Sequence, residues 1–345
     1  MNLTPESIRA IDAIADPVGV LSLYGDGPAA AARRSSPADR ALALRRRLQR
    51  VEAGLREAGA AGVADRYRRW LPRIESQLFR LAHASSPGAA VFLPLSSGRP
   101  LRVDLPMPVG EHARLEPTGH VMPLVAAHDE GRPAGVVVAR RSSVQVLEWR
   151  QGRIDEELEL PIPSRARGSD RHRWGGRGYR IDAVAEGLRR VVEERGWRRL
   201  LIAGDPRLRA AVACGRPLRH DVEVRTLAGE LEGMSAADLA VRVAADLDAA
   251  QRQYEWRLVE RVLDAALYDQ SAVLGADAVV AALELGLVEH LVIDPSRVAS
   301  DAPPPRTAAA ERMAELALAS GAEITPLEGT GARLADVGGV AALLR

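Results

Sequence analysis

Leu200-Leu201-Ile202-Ala203-Gly204 sets four apolar residues in a row and closes them with glycine, between two stretches of helical periodicity. A run of this kind has no polar side to turn toward water, so it reads as a strand buried on both faces, with helices above and below its sheet. Similar short runs stand at Gly135-Val136-Val137-Val138-Ala139 and Leu291-Val292-Ile293. Their alternation with helical segments predicts an α/β fold containing at least one parallel pair of strands.

A chain of 345 residues is too long for one ordinary core and suits three domains. The expected first domain, 1–125, is α+β. Thr4-Pro5-Glu6 opens a short helix with Ile8, Ile11 and Ile14 on one stripe, and Val18 to Tyr24 reads as a buried strand. Ser36-Pro37-Ala38-Asp39 has helix-start chemistry and leads into Leu44, Leu48, Val51 and Leu55 at helical spacing. Gly59 and Gly62 separate this helix from a second one bearing Tyr67, Trp70, Leu71, Ile74, Leu78 and Leu81, which makes a helical hairpin. Ala89 to Leu95 is strand-like, and the proline-rich stretch 105–117 reads as an irregular connection.

The middle domain, 126–250, is expected to run through three strands, at 135–139, 144–149 and 157–160, into a loop at 163–181. Asp182 is placed to cap the next helix, whose inner face is Val184, Leu188, Val191 and Val192 and whose left-handed stop is Gly196. Asp205-Pro206 opens another helix, and Ser235-Ala236-Ala237-Asp238 starts a long one running to about Leu267, with the second boundary inside it near Gln251. The last domain, 251–345, reads as a compact α/β unit.

Composition narrows the function classes. The formal net charge is +1, and all 47 basic residues are arginine, so local clustering carries more meaning than abundance. No apolar run approaches the ~20 residues of a membrane helix, and the amino terminus has no charged-then-apolar signal pattern, so a soluble cytoplasmic protein without a membrane partner is expected. One cysteine, Cys214, excludes an internal disulfide and a multi-cysteine zinc site, and it reads as a buried helix-face or turn residue. His112, His120 and His128 are spaced by eight in a proline-containing segment, which is not a metal-ligand spacing, and HExxH, CxxC and dinucleotide motifs are absent. No metal and no cofactor are expected. Gly329-Thr330-Gly331 lacks the lysine and the following hydroxyl of a phosphate loop and reads as a turn.

The local cluster of charge is the loop. Arg165, Arg167, Arg171, Arg173, Arg177 and Arg180 face a single acid, Asp170, and His172, Trp174, Gly175 and Gly176 lie among them. Guanidinium forks take phosphate oxygens in a bidentate way, and glycines let a backbone approach a polyanion closely. RNA fits both properties, whereas the bland alternative is a solvated surface loop. Trp174 either stacks on an unpaired base or folds back to anchor the loop. Arg45-Arg46-Arg47 and Arg68-Arg69 lie on the two arms of the hairpin, where successive residues point to different sides and a solvated face is favoured.

The stretch from Val273 to Ile293, with Ala282-Leu283-Glu284-Leu285-Gly286 ending its helix and Val288-Glu289 opening a buried strand, resembles the third domain of the archaeo-eukaryotic release factors and Pelota. The ending Gly338-Gly339-Val340-Ala341-Ala342-Leu343-Leu344-Arg345 is similar to the end of that domain. Upstream, Leu201-Ile202-Ala203-Gly204 resembles a strand of the family's middle domain, and the arginine loop falls where that domain carries its Gly-Gly-Gln tip. Bacterial branches of the superfamily include Vms-type peptidyl-tRNA hydrolases and Balon-type hibernation factors.

What the resemblance implies is a ribosome-binding factor. It implies the A site and 23S rRNA as contacts, and it admits P-site tRNA and a delivering translation factor as further partners. Gly175 and Gly176 match the glycines of the tip, but Arg177 stands at the glutamine position. Arginine only donates, so it neither accepts a hydrogen bond from water nor acts as a base near neutral pH. The implied role is hibernation or protection of the ribosome, and no stretch of the first domain matches the stop-codon-reading motifs. A hydrolase in ribosome rescue is the alternative, with Gly175, Gly176 and Arg177 as its catalytic tip, since main-chain amides there stabilise an oxyanion by roughly 3 kcal/mol per donor in acyl-transfer sites generally. A third reading, an interaction module unrelated to ribosomes, predicts binding that ignores salt or no ribosome binding at all.

Overall fold

A computed structural model describes residues 3–27, 37–57, 59–82, 86–139, 143–150, 153–161, 178–204, 222–227, 231, 234–269, 271–298, 307–327 and 331–345. They divide into two compact units: Met1–Gly131 with Val259–Arg345, and Arg132–Leu258. Both are mixed α/β.

The first unit opens with α1 (Pro5–Asp12), whose Thr4 Oγ1 accepts the Ser7 amide at 3.2 Å while the Thr4 amide donates back to Ser7 Oγ at 2.9 Å. Strand β1 (Ala15–Asp26) then becomes an inner strand of an antiparallel sheet with β2 (Gly88–Pro94), β3 (Leu101–Leu105) and β4 (His112–Thr118), in the order β3-β2-β1-β4. Between β1 and β2 the helical hairpin forms as expected, from α2 (Pro37–Glu57) and α3 (Ala61–Ala82). Leu48, Tyr67 and Ile74 bury against Leu21, Leu23, Val91 and Leu93 of the sheet, and Tyr67 Oη donates to the Leu48 carbonyl at 3.1 Å. Arg68 is held by Glu52 of the other arm, with Nε and Nη2 at 3.0 and 2.6 Å from Oε1.

Strand β4 corrects the reading of 105–117 as irregular. Proline removes a ladder donor, so a strand that contains it is tolerated at a sheet edge or a bulge. Both conditions hold here: β4 is an edge strand, and Pro117 sits where the register with β1 shifts between the pairs Glu116↔Val20 and Thr118↔Ala15. Helix α4 (Met122–Glu130) follows and runs across the position expected as a domain boundary, with Pro123 in its first turn.

The carboxy-terminal part of this unit folds as β10 (Ala272–Leu274), α7 (Ala276–Glu284), β11 (Val288–Ile293), α8 (Thr307–Ser320), β12 (Glu323–Pro326) and β13 (Val340–Leu344), in the sheet order β10-β13-β11-β12. Only β11 and β12 pair in parallel. A 3-10 helix, Gly331–Val337, starts at the last residue of the Gly-Thr-Gly stretch, so a helical turn does follow it; 328–330 lie outside the described residues. Gly338 and Gly339 turn the chain into β13 with φ of 74° and 79°, and a Cβ on Gly339 would sit 2.6 Å from the Cβ of Arg297. That geometry explains the paired glycines near the end of the sequence.

One apolar core joins the two parts of the unit. Ile8, Ile11, Tyr24, Phe92, Met122 and Val125 share it with Val279, Leu291, Ala310, Met313, Ile324 and Val340. Acidic groups collect at its rim. Burial, then the Glu315 and Glu311 carboxylates, push Asp12 up to about 6.

The second unit is a five-stranded sheet in the order β7-β6-β5-β8-β9, built from β5 (Ala134–Ala139), β6 (Ser143–Arg150), β7 (Arg153–Pro161), β8 (Arg199–Ala203) and β9 (Glu223–Leu227). Strands β5, β6 and β7 form an antiparallel meander, while β8 pairs in parallel with β5 and with β9. The side-chain period of two explains why the strand at 199–203 is apolar throughout. Leu200 and Ile202 face α5 (Gly178–Arg195), and Leu201 and Ala203 face α6 (Ala236–Asp264). At its start α6 carries the expected cap, with the Asp238 amide donating to Ser235 Oγ at 3.2 Å, and it ends in a π-helical turn, Ala265–Asp269.

Among the described residues no helix is long and apolar enough to cross a membrane. Cys214 and the helix expected after Asp205-Pro206 lie outside them.

Candidate functional site: the frame of the tip loop

The arginine loop joins β7 to α5. Arg165, Arg167, Arg171, His172, Arg173, Trp174, Gly175, Gly176 and Arg177 lie outside the described residues, whereas Arg180 falls in the first turn of α5. What the structure describes is the frame from which the loop departs and to which it returns.

On the departing side, β7 is the edge strand of the sheet, paired to β6 from Arg150↔Arg153 to Ser143↔Pro161. It is longer than the expected strand at 157–160. Its run Asp155-Glu156-Glu157-Leu158-Glu159 hides the strand from a reading that looks for apolar alternation, and an edge position tolerates such charge. Near the exit Ser143 Oγ donates to Glu159 Oε1 at 2.5 Å, which ties the end of β7 to the start of β6.

On the returning side, α5 begins at Gly178 rather than at a cap on Asp182. Asp182 instead lies in the helix, because Tyr179, Arg180 and Ile181 are acceptable helix formers and no proline or left-handed residue stops the chain earlier. The helix start therefore adjoins Arg177 in sequence. Four leading amides and the positive end of the helix dipole stand at that terminus, which favours an anion there.

The far end of α5 is anchored firmly. Val184, Ala185, Leu188 and Val192 bury against Val137, Val144, Val146, Leu200 and Ile202, and Gly187 lets the helix approach Leu160 of β7 at 3.6 Å from a virtual Cβ. Gly196, at φ 64°, ends the helix as expected, and the Trp197 amide returns to the Val192 carbonyl at 3.2 Å. Trp197 is then driven into the core at 1% exposure. Its Nε1 donates to Glu148 Oε2 at 3.0 Å, and Arg150 Nε donates to Glu148 Oε1 at 2.9 Å. The indole lies so close to β5 that a Cβ on Gly135 would meet its ring at 2.4 Å.

Sequence reading found the helix, its apolar face and its glycine stop, but not this Trp197–Glu148–Gly135 anchor. The partners are 49 positions apart for the hydrogen bond, and nothing local marks Glu148 as buried. A glycine opening an otherwise all-valine strand was the one usable signal, since glycine inside a strand often marks close approach by another group.

Residues 120–252, which include β5 to β8, the loop and α5, match the family model described as bacterial archaeo-eukaryotic release factor family 10. No curated protein matches. Among solved structures, the chain is similar to the archaeal translation termination factor aRF1 at 19% identity and a TM-score of 0.28, covering 100% of this chain and 99% of that one. It is similar to Pelota from Archaeoglobus fulgidus at 16% identity and a TM-score of 0.37, covering 75% and 78%. A model of ribosome-bound archaeal Pelota and ABCE1 gives 13% identity and a TM-score of 0.45, covering 100% and 94%. The assignment rests on the family match: through residues 120–252, the chain belongs to the archaeo-eukaryotic release factor and Pelota superfamily.

Proposed function

We propose that this protein is a ribosome-binding translation factor that enters the A site and inserts its 163–181 loop toward the peptidyl transferase centre, where it blocks or protects that centre without reading a stop codon. Hibernation or protection of idle ribosomes is the role this reading assigns, with 23S rRNA as the surface met by the loop. The proposal keeps three domains, one for each sheet. The observation that carries it is the sequence Gly175-Gly176-Arg177 at the head of α5, inside the segment that matches the release-factor family.

The chemistry follows from the residue types. Six arginines around two adjacent glycines offer bidentate donors to phosphate and a backbone free to approach RNA. At the position where the family has glutamine, Arg177 supplies a fixed positive charge and no acceptor, so an attacking water there has no side chain to orient it. Trp174 adds a flat apolar face suited to an unstacked base.

The paired glycines favour a second reading, ester hydrolysis of peptidyl-tRNA in ribosome rescue, because tip amides alone retain oxyanion stabilisation. Incubating the purified protein with stalled ribosome complexes and following nascent-chain release separates the two. We expect release at the level of the protein-free control. Release well above that control, abolished by Gly176→Ala, would establish the hydrolase instead.

A further inference from the structure

Inside the first unit, where β4 and α4 meet α8, three ionisable side chains converge far from the tip loop. Glu116 lies on β4, His120 on the short link to α4, and Glu311 on α8. His120 and Glu311 are each 7% exposed at the side chain, and Glu116 is 20% exposed. One ligand atom from each lies within 4.8 Å of the others.

The histidine is the informative member. Its Nδ1 is buried and makes no hydrogen bond, yet it stands 3.1 Å from Glu311 Oε2 and 3.6 Å from Glu116 Oε2. Zinc bonds to imidazole nitrogen and carboxylate oxygen are about 2.0–2.2 Å, which puts neighbouring ligands of a tetrahedral ion about 3.4 Å apart. The two measured separations bracket that spacing.

The remaining contacts fix the carboxylates without using up the facing atoms. Glu311 caps α4: Oε1 accepts the Val121 amide and, at 3.3 Å, the Met122 amide, while the other oxygen is 3.3 Å from the same Met122 nitrogen. Glu116 meets Arg114 through Oε1 at 3.6 Å, which leaves Oε2 toward the histidine. Tyr24 Oη donates to the His120 carbonyl, and the His120 amide donates to Ser22 Oγ at 3.0 Å, so the imidazole-bearing backbone is locked to β1.

Charge points the same way. Asp12 and Glu315 add two carboxylates to this rim, and Asp12 Oδ1 is a second buried atom without a hydrogen-bond partner. A divalent ion on two glutamates and a neutral imidazole would neutralise the pair. Access exists from two sides: a cavity of about 490 Å³ is lined by His112, His120, Met122 and Glu311, and one of about 920 Å³ by Glu116, Thr118, Glu311 and Glu315. Either supplies room for a water as fourth ligand.

We propose that Glu116, His120 and Glu311 form a binding site for a divalent transition-metal ion, with Zn²⁺ as the best fit to a nitrogen and two carboxylate oxygens. The ion bolts β4 and the start of α4 to α8, and so fastens the amino-terminal sheet to the carboxy-terminal α/β part. Sequence spacing concealed the site because the third ligand comes from 191 positions beyond His120 (311 minus 120).

The full chain, stripped with EDTA and dialysed, is titrated with ZnCl₂ by calorimetry and with CoCl₂ by visible absorption. We expect one equivalent of either ion, a rise in Tm on loading, and X-ray absorption showing nitrogen and oxygen neighbours without sulfur, which excludes the single cysteine. Glu116→Gln, which keeps the shape, should weaken binding by at least about 100-fold, whereas Glu315→Gln should leave it nearly unchanged. Failure of the folded wild-type chain to take up stoichiometric Zn²⁺ or Co²⁺ overturns the proposal, as does uptake that Glu116→Gln leaves intact or that shows a sulfur ligand.

Discussion

Replacing Arg171, Arg173 and Arg177 together by alanine lowers the affinity of the protein for ribosomes by about a thousandfold. The figure follows from ~1.4 kcal/mol, or tenfold, for each charge-assisted hydrogen bond removed, near the lower end of what hydrogen bonds to charged groups contribute. Because each guanidinium on a phosphate releases condensed counterions, the slope of log affinity against log salt should also become shallower by about one for each arginine replaced. Arg68→Ala provides the control. That arginine is already held by Glu52 in the helical hairpin, so its loss should leave ribosome affinity and the salt slope unaltered. Co-sedimentation with ribosomes across a salt series measures both quantities. A triple variant that sediments as the parent does, with the same slope, would remove the loop from the interface and favour a protein that does not work through RNA at all.

Trp197→Ala should destabilise the second unit by about 3–5 kcal/mol, the range for deleting a large buried aromatic side chain. Two effects combine. The indole fills the space between α5 and β5, where even a methyl on Gly135 would collide with it, and its Nε1 is one of the donors that satisfy buried Glu148. Trp197→Phe keeps most of the volume but leaves that carboxylate oxygen without the indole donor, so a smaller loss of about 1–3 kcal/mol is expected. Amide hydrogen exchange of β5 and β8 reads the change directly, and protection there should fall while the strands of the first unit keep theirs. Equal protection in β5 for Trp197→Ala and the parent would show that α5 is not anchored as described.

The two units were unevenly legible in the sequence, for physical reasons. Helices with long apolar stripes announced themselves: Leu48, Tyr67 and Ile74 bury as their spacing requires, and Gly196 stops α5 with the left-handed backbone expected of it. The buried strand at 199–203 was equally plain, because a strand covered on both faces has to be apolar throughout. Edge strands were not. Pro117 in β4, the acidic run in β7 and the charged alternation of β9 obey the tolerance of a sheet edge rather than the pattern of a core. Pairings between distant segments were illegible in principle, since neither Glu148 beneath Trp197 nor Glu311 beside His120 carries a local mark of its partner.

The tip presents the opposite case. Its composition and its match to a family position were readable at once, from the arginine cluster and the double glycine, whereas the geometry described here is that of its frame. The frame suits the task assigned to it: a helix pinned at its far end by Gly196 and Trp197 holds its amino terminus, with the four leading amides of a helix start, beside Arg177.

A density map of the protein bound to the ribosome tests this most directly. The account predicts Gly175 and Gly176 beside the RNA of the peptidyl transferase centre, with Arg171, Arg173 and Arg177 on phosphate oxygens and the P-site ester, where present, uncleaved. A map in which 163–181 folds back on its own sheet, or points away from nucleic acid, would contradict it.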